Sequence, residues 1–147
     1  MNFIKFVACA FALSPMTVFA VQNAPYAVEV PTKGGGTLMS LDFESSGEVA
    51  SFTFRVVLPE GAKRIDTSRC LSELPKGFTG VCKAYGNVVA VTGYSTEGKA
   101  LPAGLVSVGK LSFVSTAKAA VTIDAFEASD TQGNSSPVGT AKVERAE

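Results

Sequence analysis

The chain has 147 residues, with 13 basic and 13 acidic side chains, no histidine and no tryptophan. Balanced charge with scattered Lys and Arg leaves no electrostatic footprint for nucleic acid or an anionic membrane surface. Without histidine, Ser-His-Asp and Cys-His catalysis and the common zinc enzymes are excluded together.

The first twenty residues read as an export signal. Lys5 supplies the positive start, and Phe6 to Phe19 is apolar apart from Ser14, Pro15 and Thr17. Val18-Phe19-Ala20 then offers a signal peptidase its site, so cleavage is expected near Ala20. Residues 21–147 are left as a single domain, long enough to bury a real core. The apolar stretch, cut short by Gln22-Asn23, makes a poor membrane span. Cys9 lacks the leading Leu and the preceding apolar length of a lipid-attachment site. The expectation is an exported product, periplasmic or extracellular, with no membrane contact after cleavage.

Strand-like segments then follow in quick succession. Tyr26 to Val30 ends at Pro31, which suits an edge strand. After the flexible turn at 32–36, Thr37 to Phe43 alternates, with Met39, Leu41 and Phe43 on one side. Val49 to Leu58 is the strongest signature. Ala50, Phe52, Phe54, Val56 and Leu58 point one way, and Ser51, Thr53 and Arg55 the other. Residues 62–79 read as a long connection with one short helical turn. Gly80 to Tyr85 and Val88 to Thr92 flank Gly86-Asn87, a two-residue hairpin signal. The run Val88 to Val91 suggests a strand covered on both faces. Leu105 to Ser115 and Ala120 to Ala128 supply two more strands. Helix competes only over Thr116 to Phe126, where the β-branched Val121-Thr122-Ile123 favours strand. Val138 to Val143 is a candidate closing strand. Eight or nine short strands without a long amphipathic helix indicate an all-β, two-sheet sandwich.

Past the export segment only Cys70 and Cys82 remain, and in an oxidising compartment they are expected to pair. Their spacing is too wide for a Cys-x-x-Cys redox motif, and no histidine completes a metal site. Gly34-Gly35-Gly36 precedes a strand rather than the helix that a nucleotide phosphate loop requires, so it reads as a flexible turn. Asp130 to Asn134 lacks the alternating carboxylates and terminal Glu of a calcium loop, and reads as an Asx-type turn. Asp42, Glu44, Glu48, Asp124, Glu127 and Asp130 could supply a hydrolytic pair only from turns and polar strand faces, so no catalytic residue, metal or cofactor is assigned. Phe43, Phe52, Phe54, Phe113 and Phe126 are expected in the core. Of the tyrosines, Tyr26 is a further candidate, and Tyr85 and Tyr94 are the ligand-facing ones, placed to stack on a sugar or a partner.

Three segments together resemble cohesin domains. Ala50 to Val56 followed by a Pro turn is similar to their early strand. Gly109-Lys110-Leu111-Ser112-Phe113-Val114 is similar to their Gly-x-Leu-x-Phe-x-Val strand, and Ala125 to Asn134 to their late strand with its Asp-x-x-Gly-Asn turn. Where cohesins carry Tyr-Asp-Pro, this chain has Val57-Leu58-Pro59. The resemblance implies a nine-stranded jelly roll, in a superfamily that also holds carbohydrate-binding modules. It implies a non-catalytic module, connected with extracellular polysaccharide assembly, that binds a dockerin-like or other exported protein through a sheet face. The alternative is a carbohydrate-binding module that uses Tyr85 and Tyr94 on an extracellular polysaccharide.

Overall fold

The computed structural model describes residues 22–147, so the expected export segment at 1–20 lies outside the described residues. Hydrophobic alternation sets nine strands there: β1 (Ala24–Pro31), β2 (Gly36–Ser45), β3 (Val49–Val57), β4 (Lys63–Asp66), β5 (Phe78–Tyr85), β6 (Val88–Ser95), β7 (Gly104–Val114), β8 (Thr122–Asp130) and β9 (Lys142–Arg145). They form a five-stranded sheet ordered β4-β7-β2-β1-β9 and a four-stranded sheet ordered β5-β6-β3-β8. Neighbours are antiparallel except β1 and β9. The expected all-β jelly-roll sandwich is therefore the observed architecture.

The core lies between the sheets. Met39, Leu41 and Phe43 of β2 join Phe52, Phe54 and Val56 of β3, with Val89, Val91, Leu111 and Phe113 around them. Phe43 stacks on Phe52 at 4.8 Å between ring centroids, which couples one sheet to the other. Burying each such ring contributes on the order of 2–3 kcal/mol. Phe126 is only half-buried against this cluster. It gets there through a bulge, because the β3–β8 register slips between Thr53 and Arg55, where Ala125 has φ 46°. The extra residue turns Phe126 toward the core and leaves Asp124 and Glu127 on the outer face.

Several expectations need correction. β1 is an inner strand and not an edge, since β9 pairs with it in parallel. Pro31 lies beyond the last β1–β9 pair, Glu29 with Arg145, so its missing N–H breaks no ladder bond there. Residues 62–79 contain β4, a string of reverse turns and the start of β5, with no helical turn. The backbone there is committed elsewhere: Lys110 N donates to Arg69 O at 2.9 Å, and Glu73 N to Val108 O at 3.0 Å. The closing strand begins at Lys142, and Val138 makes an isolated bridge to Asn23. β6 is buried on one face only, through Val89 and Val91, while Val88 and Ala90 are half-exposed.

A disulfide ties the irregular stretch to the four-stranded sheet. Cys70, fully buried beside β7, is joined to Cys82 of β5, with the Cα atoms 6.2 Å apart. The approach is close enough to require Gly109. A Cβ there would sit 2.2 Å from the Cys70 carbonyl oxygen and 2.4 Å from that of Arg69.

Candidate functional site

The outer face of the four-stranded sheet is a grid built by strand register. Across β5, β6, β3 and β8 its rows are Thr79–Tyr94–Ser51–Ser129, Val81–Thr92–Thr53–Glu127, Lys83–Ala90–Arg55–Asp124 and Tyr85–Val88–Val57–Thr122. In the two middle rows Thr92, Thr53 and Ala90 keep the surface low, and Arg55 is held by Asp124. Thr53 Oγ1 is 3.0 Å from Thr92 Oγ1, and Ser51 Oγ contacts Ser129 Oγ. These hydroxyls satisfy one another within the sheet.

Large apolar groups rise at the margin. Val81 and Tyr85 are each 60% exposed and Tyr94 is 43% exposed. Lys83 lies 5.2 Å above the Tyr85 ring, a cation–π contact that leaves its ammonium at the surface. Arg55 grips Asp124 with two parallel hydrogen bonds of 2.9 and 3.0 Å, so this carboxylate is held as an ion-pair partner.

Each marginal residue is placed by something behind it. Gly86, at φ 60°, opens the two-residue hairpin next to Tyr85. Asn87 Nδ2 donates to Leu58 O at 2.8 Å and fixes that hairpin to the end of β3. Val81 and Lys83 project outward because Cys82 between them is tied inward. On β6, Gly93 lets the Phe52 ring slide beneath Tyr94; a Cβ at Gly93 would be 2.5 Å from that ring.

The structure thus places Tyr85 and Tyr94 on one face but at opposite ends. Six residues of β6 separate their rows, about 20 Å at 3.3 Å per residue. They do not converge on one pocket. Val81 was not singled out from the sequence, although the parity of Cys82 would have identified it. Tyr26 lies on the other sheet, where its hydroxyl donates to Glu144 Oε2 at 2.7 Å. Asp42 is also there, and burial pushes its carboxyl pKa up, against a hydrogen bond from Ser107. Asp130 caps its own turn, with Oδ1 accepting from Gln132 N and Asn134 N at 2.9 Å each. Gly34-Gly35 forms the tip of the β1–β2 turn, closed by Thr32 N donating to Gly36 O at 2.8 Å. The six carboxylates weighed for hydrolysis are therefore spread over two sheets and two turns.

No protein-family model matches the sequence, and neither does any curated protein. Solved structures do match. A non-cellulosomal cohesin from the archaeon Archaeoglobus fulgidus superposes with a TM-score of 0.58 at 20% identity, over 84% of this chain and 88% of that one. A type II cohesin domain from the cellulosome of Acetivibrio cellulolyticus gives 0.60 at 9% identity, over 84% and 92%. The chain has the cohesin fold. The sixth cohesin of scaffoldin B from Acetivibrio cellulolyticus, solved in complex with a dockerin, gives 0.55 at 12% identity over 85% and 99%. In this cohesin-like domain the three segments that carried the resemblance fall on β3, β7 and β8 with its following turn.

Proposed function

We propose that this cohesin-like domain is an exported, non-catalytic module that recognises a protein partner through the outer face of β5, β6, β3 and β8. The observation that carries the reading is the set Val81, Tyr85 and Tyr94, exposed on one face around Thr53, Thr92, Ala90 and the Arg55–Asp124 pair. Three exposed large apolar side chains on one sheet face fit an interaction surface. The Arg55–Asp124 pair and the Thr53 and Thr92 hydroxyls between them offer polar specificity within the face. A dockerin-like partner is in keeping with the fold, since one of the similar structures holds a dockerin. The disulfide suits an oxidising compartment, and the opening twenty residues suit export to it.

The polysaccharide reading uses the same tyrosines. Their separation gives two isolated stacking positions rather than one platform, which favours a protein partner. The test is affinity capture from the exported proteins of the source cells, using wild-type bait and Val81→Asp/Tyr85→Ala bait in parallel. The proposal predicts one protein that the wild type binds directly when purified and that the variant binds at least 100-fold more weakly. A glycan array lit by the wild type and dark with Tyr85→Ala, with no protein recovered, would instead establish the polysaccharide reading.

A further inference from the structure

We infer that the groove between the β1–β2 turn and β4, remote from the four-stranded face, is a binding site for a phosphate or carboxylate group. The groove is open, encloses about 580 Å³, and is lined by Lys33, Gly34, Gly36, Arg64 and Ser112 among others. Four observations converge on it.

Arg64 has φ 50°, one of only two non-glycine residues among those described with a left-handed backbone. It sits in a register slip, since Lys63 pairs with Val114 and Asp66 with Ser112. The slip brings the Arg64 side chain to the groove wall. Strained backbone at a residue with a chemically capable side chain points toward a site rather than a mere turn.

Lys33 lines the same groove, and neither Lys33 nor Arg64 takes part in an ion pair among the described residues. The one carboxylate of the lining, Asp66, already accepts a hydrogen bond from Ser68 N at 2.9 Å. Cationic charge therefore exceeds anionic charge in the groove.

Beside Lys33 the chain presents bare backbone. Gly34, in the groove lining, and Gly35 next to it have φ 84° and 80°, and a Cβ at either would meet nothing within 4 Å. An oxyanion could reach the peptide N–H groups there without steric hindrance, as anions do at other glycine-rich turns. Thr32 and Ser112 of the lining carry hydroxyls that add further donors. Arg supplies a planar fork for two anion oxygens and Lys a point charge, a complementary pair for an oxyanion.

The test is a chemical-shift titration of the ¹⁵N-labelled protein with inorganic phosphate, and separately with oligogalacturonate, at constant ionic strength. Saturable shifts are expected at the Lys33, Gly34, Gly35 and Arg64 amides. Lys33→Ala/Arg64→Ala should bind at least tenfold more weakly, with the rest of the spectrum unchanged as proof of folding. Arg64→Gly, which keeps the backbone conformation and removes only the side chain, should weaken binding to a similar degree. Saturation by phosphate alone would point to a free or phosphoryl anion, and saturation by oligogalacturonate to a polymeric carboxylate. Linear shifts with both probes, or undiminished affinity in the variants, would overturn the inference.

Discussion

A methyl group added at Gly109 would press against two backbone carbonyl oxygens, and neither can swing aside as a side-chain end would. Gly109→Ala is expected to push the Arg69–Cys70 backbone off β7 and to cost about 2 kcal/mol or more in urea unfolding. Asn87→Ala loses the bond that fixes the hairpin to Leu58, about 1 kcal/mol, with the Tyr85 ring less ordered. Two carboxylates act with opposite sign in pH. The backbone N–H of Asn134 is the chief group holding the Asp130 carboxyl below its ordinary range. Its contribution is present above the unfolded-state pKa and lost as pH falls through the folded one. Asp130→Ala should therefore lower the urea midpoint at pH 7 and differ less from wild type in acid. Burial, aided by nearby Glu73, raises Asp42 against the Ser107 hydrogen bond, so the folded state holds that proton more tightly than the unfolded chain. Asp42→Asn should raise the midpoint at pH 7, and the gain should shrink as pH falls into the carboxylate range.

β5 is an edge strand whose inward side offers only Phe78, Gly80, Cys82 and Ala84 to the core. That is little apolar surface for a strand that presents Val81, Lys83 and Tyr85 outward. The Cys70–Cys82 bond supplies the missing anchor. Replacing both cysteines by Ala should cost about 3 kcal/mol in the loop-entropy description. Hydrogen exchange should quicken across Phe78–Tyr85 more than across β3. Lys83 on this edge also discourages pairing with a further strand, as charged edge residues do elsewhere. The partner proposed for this module therefore lies on the face of β5 and not along its edge.

Across the molecule, the alternation in Val49–Val57 and Gly36–Ser45 made the sandwich and its phenylalanine core legible, because a period of two has one physical meaning in a half-buried strand. Order among weak segments made the cohesin fold legible as well. What stayed hidden depends on distant contacts. The parallel β1–β9 pairing joins residues more than 100 positions apart, and Ala125 bulges to satisfy a register set by β3. The turns at 67–78 follow β7, not their own propensities. Of the candidate site, Tyr85 and Tyr94 could be named from the sequence, but their distance from each other could not. Val81 and Arg64 became candidates only once strand parity and backbone conformation were known.

Recognition is proposed for the outer face of the four-stranded sheet. Leu105, equally exposed at 60% on the outer face of the other sheet, is the natural control. Site-specific photo-cross-linking from benzoylphenylalanine at position 81, 94 or 105, in the presence of the captured partner, distinguishes the two faces. Adducts from positions 81 and 94 with none from 105 are predicted. Adducts from 105 alone would contradict it.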